Sequence, residues 1–189
     1  MLCTIQIRIS SPVIGNRWSA KRRCYEFPRE KGEDGWTLSV RDRDLLNGCV
    51  KNAIGSLGMD LDADLFRWPK VIPLPRVYLH EVPKRNGGFT AHEAISRNTI
   101  VTFWLMLRRH EGNKQLRLPS AEQLHEIFKF IGDYEGISPF GSERGFGLFS
   151  VVNIDLDRRS VCGNQEPPGF TPKDPDVPNE VDAVDPGEA

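Results

Sequence analysis

The chain has 189 residues, 39% of them hydrophobic and 27% charged, the proportions of a soluble globular protein made of one domain or of one domain plus a tail. No apolar run reaches the roughly 18 residues that a membrane-spanning helix needs, so that class is excluded. The formal charge of −1 hides an asymmetry. From Gly163 onward the sequence is rich in proline and carries seven acidic residues against one base, Lys173. Of 25 basic and 26 acidic residues, 24 and 19 remain in residues 1–162, a balance of about +5. A body over 1–162 followed by an acidic, disordered tail over 163–189 is therefore expected, with the tail keeping the protein soluble. Cys3, Cys24, Cys49 and Cys162 are scattered without a C-x-x-C pair, which predicts reduced thiols, no zinc or other metal, no cofactor, and a cytoplasmic setting.

In chain order, "CTIQIRIS" alternates Cys3, Ile5, Ile7 and Ile9 with Thr4, Gln6, Arg8 and Ser10, the period of a half-buried strand. It turns basic afterwards, unlike a cleavable signal peptide. "GNRWSAKRRCYEFPREK" sets Arg17, Lys21, Arg22, Arg23, Arg29 and Lys31 among Trp18, Tyr25 and Phe27. Cations for phosphates and rings for bases are the means by which single-stranded RNA is held. "DLLNGCVKNAIGSLG" repeats apolar residues as one face of a helix: Leu45, Leu46, Cys49, Val50, Ala53, Ile54 and Leu57. Asp42 and Asp44 are its candidate caps, and Gly58 is placed to end it. Asp60, Asp62 and Asp64 follow without the glycine or distal glutamate of a calcium loop and read as a solvated turn.

"RVYLHEV" predicts a second strand, and "PKRNGGFTAHEAISRN" a long polar connection carrying Lys84, Arg85 and Phe89. "TIVTFWLMLRR" is the clearest strand, apolar on both faces and so expected to be central and covered on both sides. "LPSAEQLHEIFKFIG" is a helix with a capping box from Ser120 and Gln123 and a buried stripe of Leu124, Ile127, Phe128 and Ile131, stopped by Gly132. "GFGLFSVVNIDL" reads as a last strand with Phe146, Leu148, Val152, Ile154 and Leu156 on one face. The order β-α-β-β-α-β predicts an α+β, ferredoxin-like fold with insertions: a four-stranded antiparallel sheet with two helices on one face.

"GISPFGSERGFGLFSVV" places Gly136, Gly141, Gly145 and Gly147 around Ser142 and Arg144. A dinucleotide loop or P-loop would follow a strand and open a helix, whereas here the helix comes first and no G-K-[ST] occurs. Two readings stay open: a structural turn, or a backbone cradle for RNA in which Gly145 and Gly147 admit another backbone.

The helix "LHEIFKFIG", the glycine-rich loop ending in "GFG", and the aromatic-valine strand after it resemble the RAMP superfamily, the ferredoxin-like RNA-binding proteins of CRISPR systems. "NTIVTFWLMLRR" is similar to that family's strand before its last helix. The resemblance spans residues 1–157, and its specific part is Leu124 to Val152. It implies an RNA-binding subunit of a CRISPR-type ribonucleoprotein effector, contacting guide RNA and neighbouring protein subunits. The RNA-binding candidates are then Arg17, Lys21, Arg22, Arg23, Lys84, Arg85, Gly141, Ser142, Arg144, Gly145 and Gly147. A metal-independent repeat-processing endoribonuclease is the alternative, with His80 and His92 as its candidate acid and base. Such enzymes commonly carry their histidine near the first helix, where Arg41 to Gly58 holds none, which favours binding without catalysis. A third class is a non-nucleic-acid ferredoxin-like assembly module that buries Trp104 and Met106 against another protein.

Overall fold

A computed structural model of the chain describes residues 1–31, 35–111, 114–138 and 145–157. Among the described residues, β1 (Leu2–Ile9), β2 (Val13–Ile14), β3 (Arg17–Ser19), β4 (Cys24–Glu26) and β5 (Gly35–Thr37) precede the first helix. Helix α1 (Val40–Ser56) leads through a single 3-10 turn to β6 (Phe66–Arg67) and β7 (Val71–Pro73). There follow β8 (Val77–Pro83), β9 (Phe89–Ile95), β10 (Ile100–Leu107), β11 (His110–Glu111) and β12 (Lys114–Gln115). Helix α2 (Ala121–Phe130) and β13 (Phe149–Asp157) complete the order.

The principal sheet runs β13-β1-β10-β6 with every neighbouring pair antiparallel. Its alternation sends Cys3, Ile5, Ile7 and Ile9, with Val101, Phe103, Leu105 and Leu107, to one face. There they meet Leu46, Val50 and Ala53 of α1 and Leu124, Ile127 and Phe128 of α2 in one core. Ile154 is partly buried against the same cluster. The chain is thus α+β, with mostly antiparallel sheets and two helices, an arrangement compatible with the ferredoxin-like plan. No helix among the described residues is long and apolar enough to cross a membrane.

A second sheet is inserted between these elements. It has the order β2-β9-β4-β3, with β8 on the other edge of β9. The segment "RVYLHEV" therefore forms β8 of this sheet, and the neighbour of β10 on the side away from β1 is the two-residue β6. The expected long polar connection is in fact β9 and a tight turn over residues 84–88, closed by Lys84 N–H donating to the Gly88 carbonyl at 3.0 Å.

Both helices start in capping boxes. At α2, Ser120 accepts from the Gln123 N–H at 3.2 Å and Gln123 accepts from the Ser120 N–H at 3.0 Å, as the sequence predicts. At α1 the cap is Ser39, and Asp42 is its reciprocal third residue, accepting from the Ser39 N–H at 3.0 Å. Such a cap is worth about 1 kcal/mol. Leu45 is half exposed rather than part of the stripe. Gly58 does follow the end of α1, at φ +62.

Gly132 does not stop α2. The helix widens into a π turn over Ile131–Glu135 and ends at Gly136, φ +70. Gly132 lies inside that turn, where a Cβ would strike the Phe149 carbonyl. The last strand starts at Phe149, and a bulge opposite Gln6 and Ile7 resets its faces, so Phe149, Val151, Ile154 and Leu156 pack on the core while Val152 is exposed. Nor is β10 covered on both sides: Trp104 and Met106 keep partial exposure and Ile100 is half exposed. The proposed tail, 163–189, lies outside the described residues.

Candidate nucleic-acid interface

The second sheet decides where the basic residues go. Strand β4 runs parallel to β9, with Tyr25 beside His92. The turn that feeds β4 (Ala20–Arg23) and the turn that feeds β9 (Lys84–Gly88) therefore lie at the same end of the sheet. Lys21, Arg22, Arg23, Lys84 and Arg85 are all exposed there. Two stretches about sixty residues apart in sequence are joined in this way into one cationic end. Arg17 does not join them, since it sits at the other end of the β3–β4 hairpin, opposite Glu26.

Arg22 has a second attachment. Its guanidinium lies 2.7 Å from Glu93 and 3.1 Å from Glu26. Glu93 is only 2% exposed and also accepts from Arg29 at 2.9 Å and from the Phe27 N–H at 3.1 Å. The hydrogen bond to Glu93 raises the Arg22 pKa, so the side chain stays cationic while held. Phe27 is a core residue against Trp36, and does not serve the surface.

Trp18, Tyr25, His92 and His80 occupy one face of this sheet, while Phe89, also on β9 and 63% exposed, lies on the other. Trp18 meets Tyr25 edge-on at 5.2 Å, and Tyr25 stacks on His92 at 4.6 Å and 13°. His80 stands directly opposite His92 on β8, with Tyr78 and Phe146 each 5.9 Å from it.

His92 is buried, and its Nδ1–H donates to the Gly15 carbonyl at 2.9 Å, which fixes the tautomer. Its Nε2 lies 3.2 Å from the Thr90 hydroxyl. Burial is the larger influence and pushes its pKa below the usual histidine range; the Gly15 hydrogen bond opposes this and His80 adds to it. The folded state therefore favours neutral His92, while the unfolded chain protonates near pH 6.5. Its stabilising contribution is whole above that value and is lost as pH falls through the lower folded pKa. Thermal melts from pH 7.5 to 5.5 are expected to show a falling midpoint, and His92→Asn is expected to melt lower at pH 7.5 but with a flatter profile. An unchanged profile in that variant would remove His92 as the titrating group.

The glycine-rich stretch joins this sheet through its ends. Ile137 N–H donates to the Gly147 carbonyl at 3.0 Å, and Gly147 N–H donates to the Pro12 carbonyl at 2.9 Å. Gly147 has φ +79, and a Cβ there would strike the Ser138 amide. The backbone that approaches it is thus the chain's own. Gly145, at φ +71, has open space where a Cβ would stand. Phe146 between them packs on Ile14, Val82 and Ala94. Gly141, Ser142 and Arg144 lie outside the described residues.

The sequence does not reveal the Glu93 cluster or the use of His92, because both depend on partners more than sixty residues away in the chain, Gly15, Arg22, Phe27 and Arg29. Asp62 caps the turn after α1 by accepting from the Asp64 N–H at 3.0 Å. Cys3, Cys24 and Cys49 are free and buried; burial drives the Cys3 thiol up to about 12 and Cys49 to about 11, far from the reactive thiolate.

No family model matches the chain, and no curated protein matches it. Among solved structures it is similar to a chain in the cryo-EM structure of the type III-B Cmr-beta bound to cognate target RNA, at 14% identity and a TM-score of 0.46. The similarity covers 82% of this chain but 59% of that one, so this chain spans less than two thirds of its length.

Proposed function

We propose that the chain is an RNA-binding subunit of a CRISPR-type ribonucleoprotein effector, contacting guide RNA and neighbouring subunits in the cytoplasm. The observation that carries the RNA reading is the parallel pairing of β4 with β9, which gathers Lys21, Arg23, Lys84 and Arg85 at one end of a sheet. The CRISPR assignment rests on the motif resemblance over Leu124 to Val152, with the body taken as a ferredoxin-like domain over 1–162 and residues 163–189 as a solubilising tail. Arg22 and Gly145 join the interface in this reading, as do Gly141, Ser142 and Arg144, whereas Arg17 stands at the far end of the β3–β4 hairpin and Gly147 is closed against the chain's own Ser138.

Binding without cleavage is favoured over the ribonuclease alternative by the burial of His92 and by the bonding of its Nδ1 to backbone, which leave it poorly placed to exchange protons with a substrate.

The test is the salt dependence of binding to a labelled single-stranded RNA. Lys21→Glu/Arg23→Glu and Lys84→Glu/Arg85→Glu are each expected to weaken binding and to reduce the slope of log affinity against log salt by about 1.4, about 0.7 for each phosphate of a single strand that is no longer neutralised. Affinity and slope unchanged in both double variants would sink the interface.

A further inference from the structure

Apart from Phe89, which lies on the opposite face, the ring residues of the second sheet are grouped. Trp18 pairs with Tyr25 across β3 and β4, Tyr25 with His92 across β4 and β9, and His92 with His80 across β9 and β8. Directly opposed residues share a face, so one register row carries a ring on each of four adjacent strands. At one end of the row Trp18 is 52% exposed, and at the other Tyr78 is 40% exposed beside His80. Buried His92 holds Tyr25 from the side by stacking, and it is itself fixed by Gly15.

We propose that this row is a stacking platform for the unpaired bases of single-stranded RNA, with Trp18, Tyr25, His80 and Tyr78 as the contacting residues. The proposal rests on the RNA reading above and adds a site and a substrate class to it: bases must be unpaired, because a duplex hides their faces. Three strand spacings from β3 to β8 amount to about 14 Å. At about 3.4 Å per stacked nucleotide, that length takes about four bases. The phosphates of a strand lying along the row would pass the sheet end that carries Lys21, Arg23, Lys84 and Arg85. Rings alone would serve a protein partner equally well. Rings bordered by cations whose charge is not consumed by Glu26 or Glu93 match a polyanion with aromatic side groups.

The experiment uses the full chain and three probes of equal length: a single-stranded RNA, the same sequence in a duplex, and an abasic ribose-phosphate oligomer. The single strand is expected to bind about tenfold or more tighter than the abasic oligomer. Trp18→Leu should weaken the single strand by about tenfold while leaving abasic binding and the salt slope unchanged. Tyr78→Leu is the second variant if Trp18→Leu does not fold, and melts accompany both. Equal affinity for all three probes, with both variants neutral, would overturn the platform and leave the RNA reading standing. Failure to bind any probe would overturn both. A chain that binds no RNA but self-associates through Trp18 would make the row a protein interface, which also overturns the proposal.

Discussion

Gly147→Val is expected to melt about 10 °C below the parent protein. Two costs add at this position. At φ +79 a side chain meets the backbone strain of the left-handed region, about 1–2 kcal/mol. The new Cβ would also strike the Ser138 amide, with the Ser138 Cβ at 2.6 Å, and a backbone held by Ile137 N–H on the Gly147 carbonyl has little room to move away. Overpacking of this kind costs about 1–3 kcal/mol. Together they amount to about 3 kcal/mol, and a domain of this size loses about 2–4 °C per kcal/mol. Gly145→Ala is the comparison, because φ +71 imposes the strain but nothing stands in the way of the methyl group. It should cost about 1 kcal/mol. Circular-dichroism melts of the two variants separate the effects. A Gly147→Val protein within about 2 °C of the parent would show that the Gly136–Gly147 closure is soft. If RNA affinity per folded molecule then fell at Gly145 alone, the exposed glycine would be the one that meets ligand.

How much of this is legible in the sequence depends on whether each signal is local. The box of Ser120 and Gln123 spans four residues and needs nothing beyond them, so the sequence alone reveals it. Strands β1 and β10 are legible because one buried face imposes a period of two on eight residues. Strand β6 is not, since two residues have no period, and Phe66 and Arg67 become a strand only through Leu107 and Met106. Strand β9 is hidden for another reason. His92 and Glu93 look like loop residues, yet they are buried on opposite faces because Gly15, Phe27, Arg22 and Arg29, from the turns and loops around β2, β3 and β4, complete their hydrogen bonds. One usable signal is present: Gly87 and Gly88 between two runs of strand-forming residues mark a hairpin turn. The basic residues can be picked individually, but their meeting at one sheet end follows from the parallel β4–β9 pair, which no local pattern encodes.

Glu93 divides the roles of Arg22 in a way that two substitutions can read. Glu93→Ala removes the acceptor of the Phe27 N–H, which is then left buried without a partner, while Arg22 and Arg29 can turn to water. That asymmetry places most of the cost on the amide, about 1–3 kcal/mol, and the midpoint should fall by several degrees. Glu93→Gln keeps an acceptor for the amide and removes only the charge, so its midpoint should stay near the parent. In that variant Arg22 loses its ionic partner at 2.7 Å, keeps Glu26 at 3.1 Å, and becomes more available to phosphate. RNA binding by Glu93→Gln should therefore tighten, and the salt slope should steepen by about 0.7. Arg22→Ala combined with Glu93→Gln should cancel the gain. If Glu93→Gln leaves affinity and slope at the parent values, Arg22 belongs to the fold alone, and the cationic end consists of Lys21, Arg23, Lys84 and Arg85. If instead Glu93→Gln binds less well while melting normally, the ion pair sets the position of the β3–β4 turn, since Arg22 lies in that turn and Glu93 in β9.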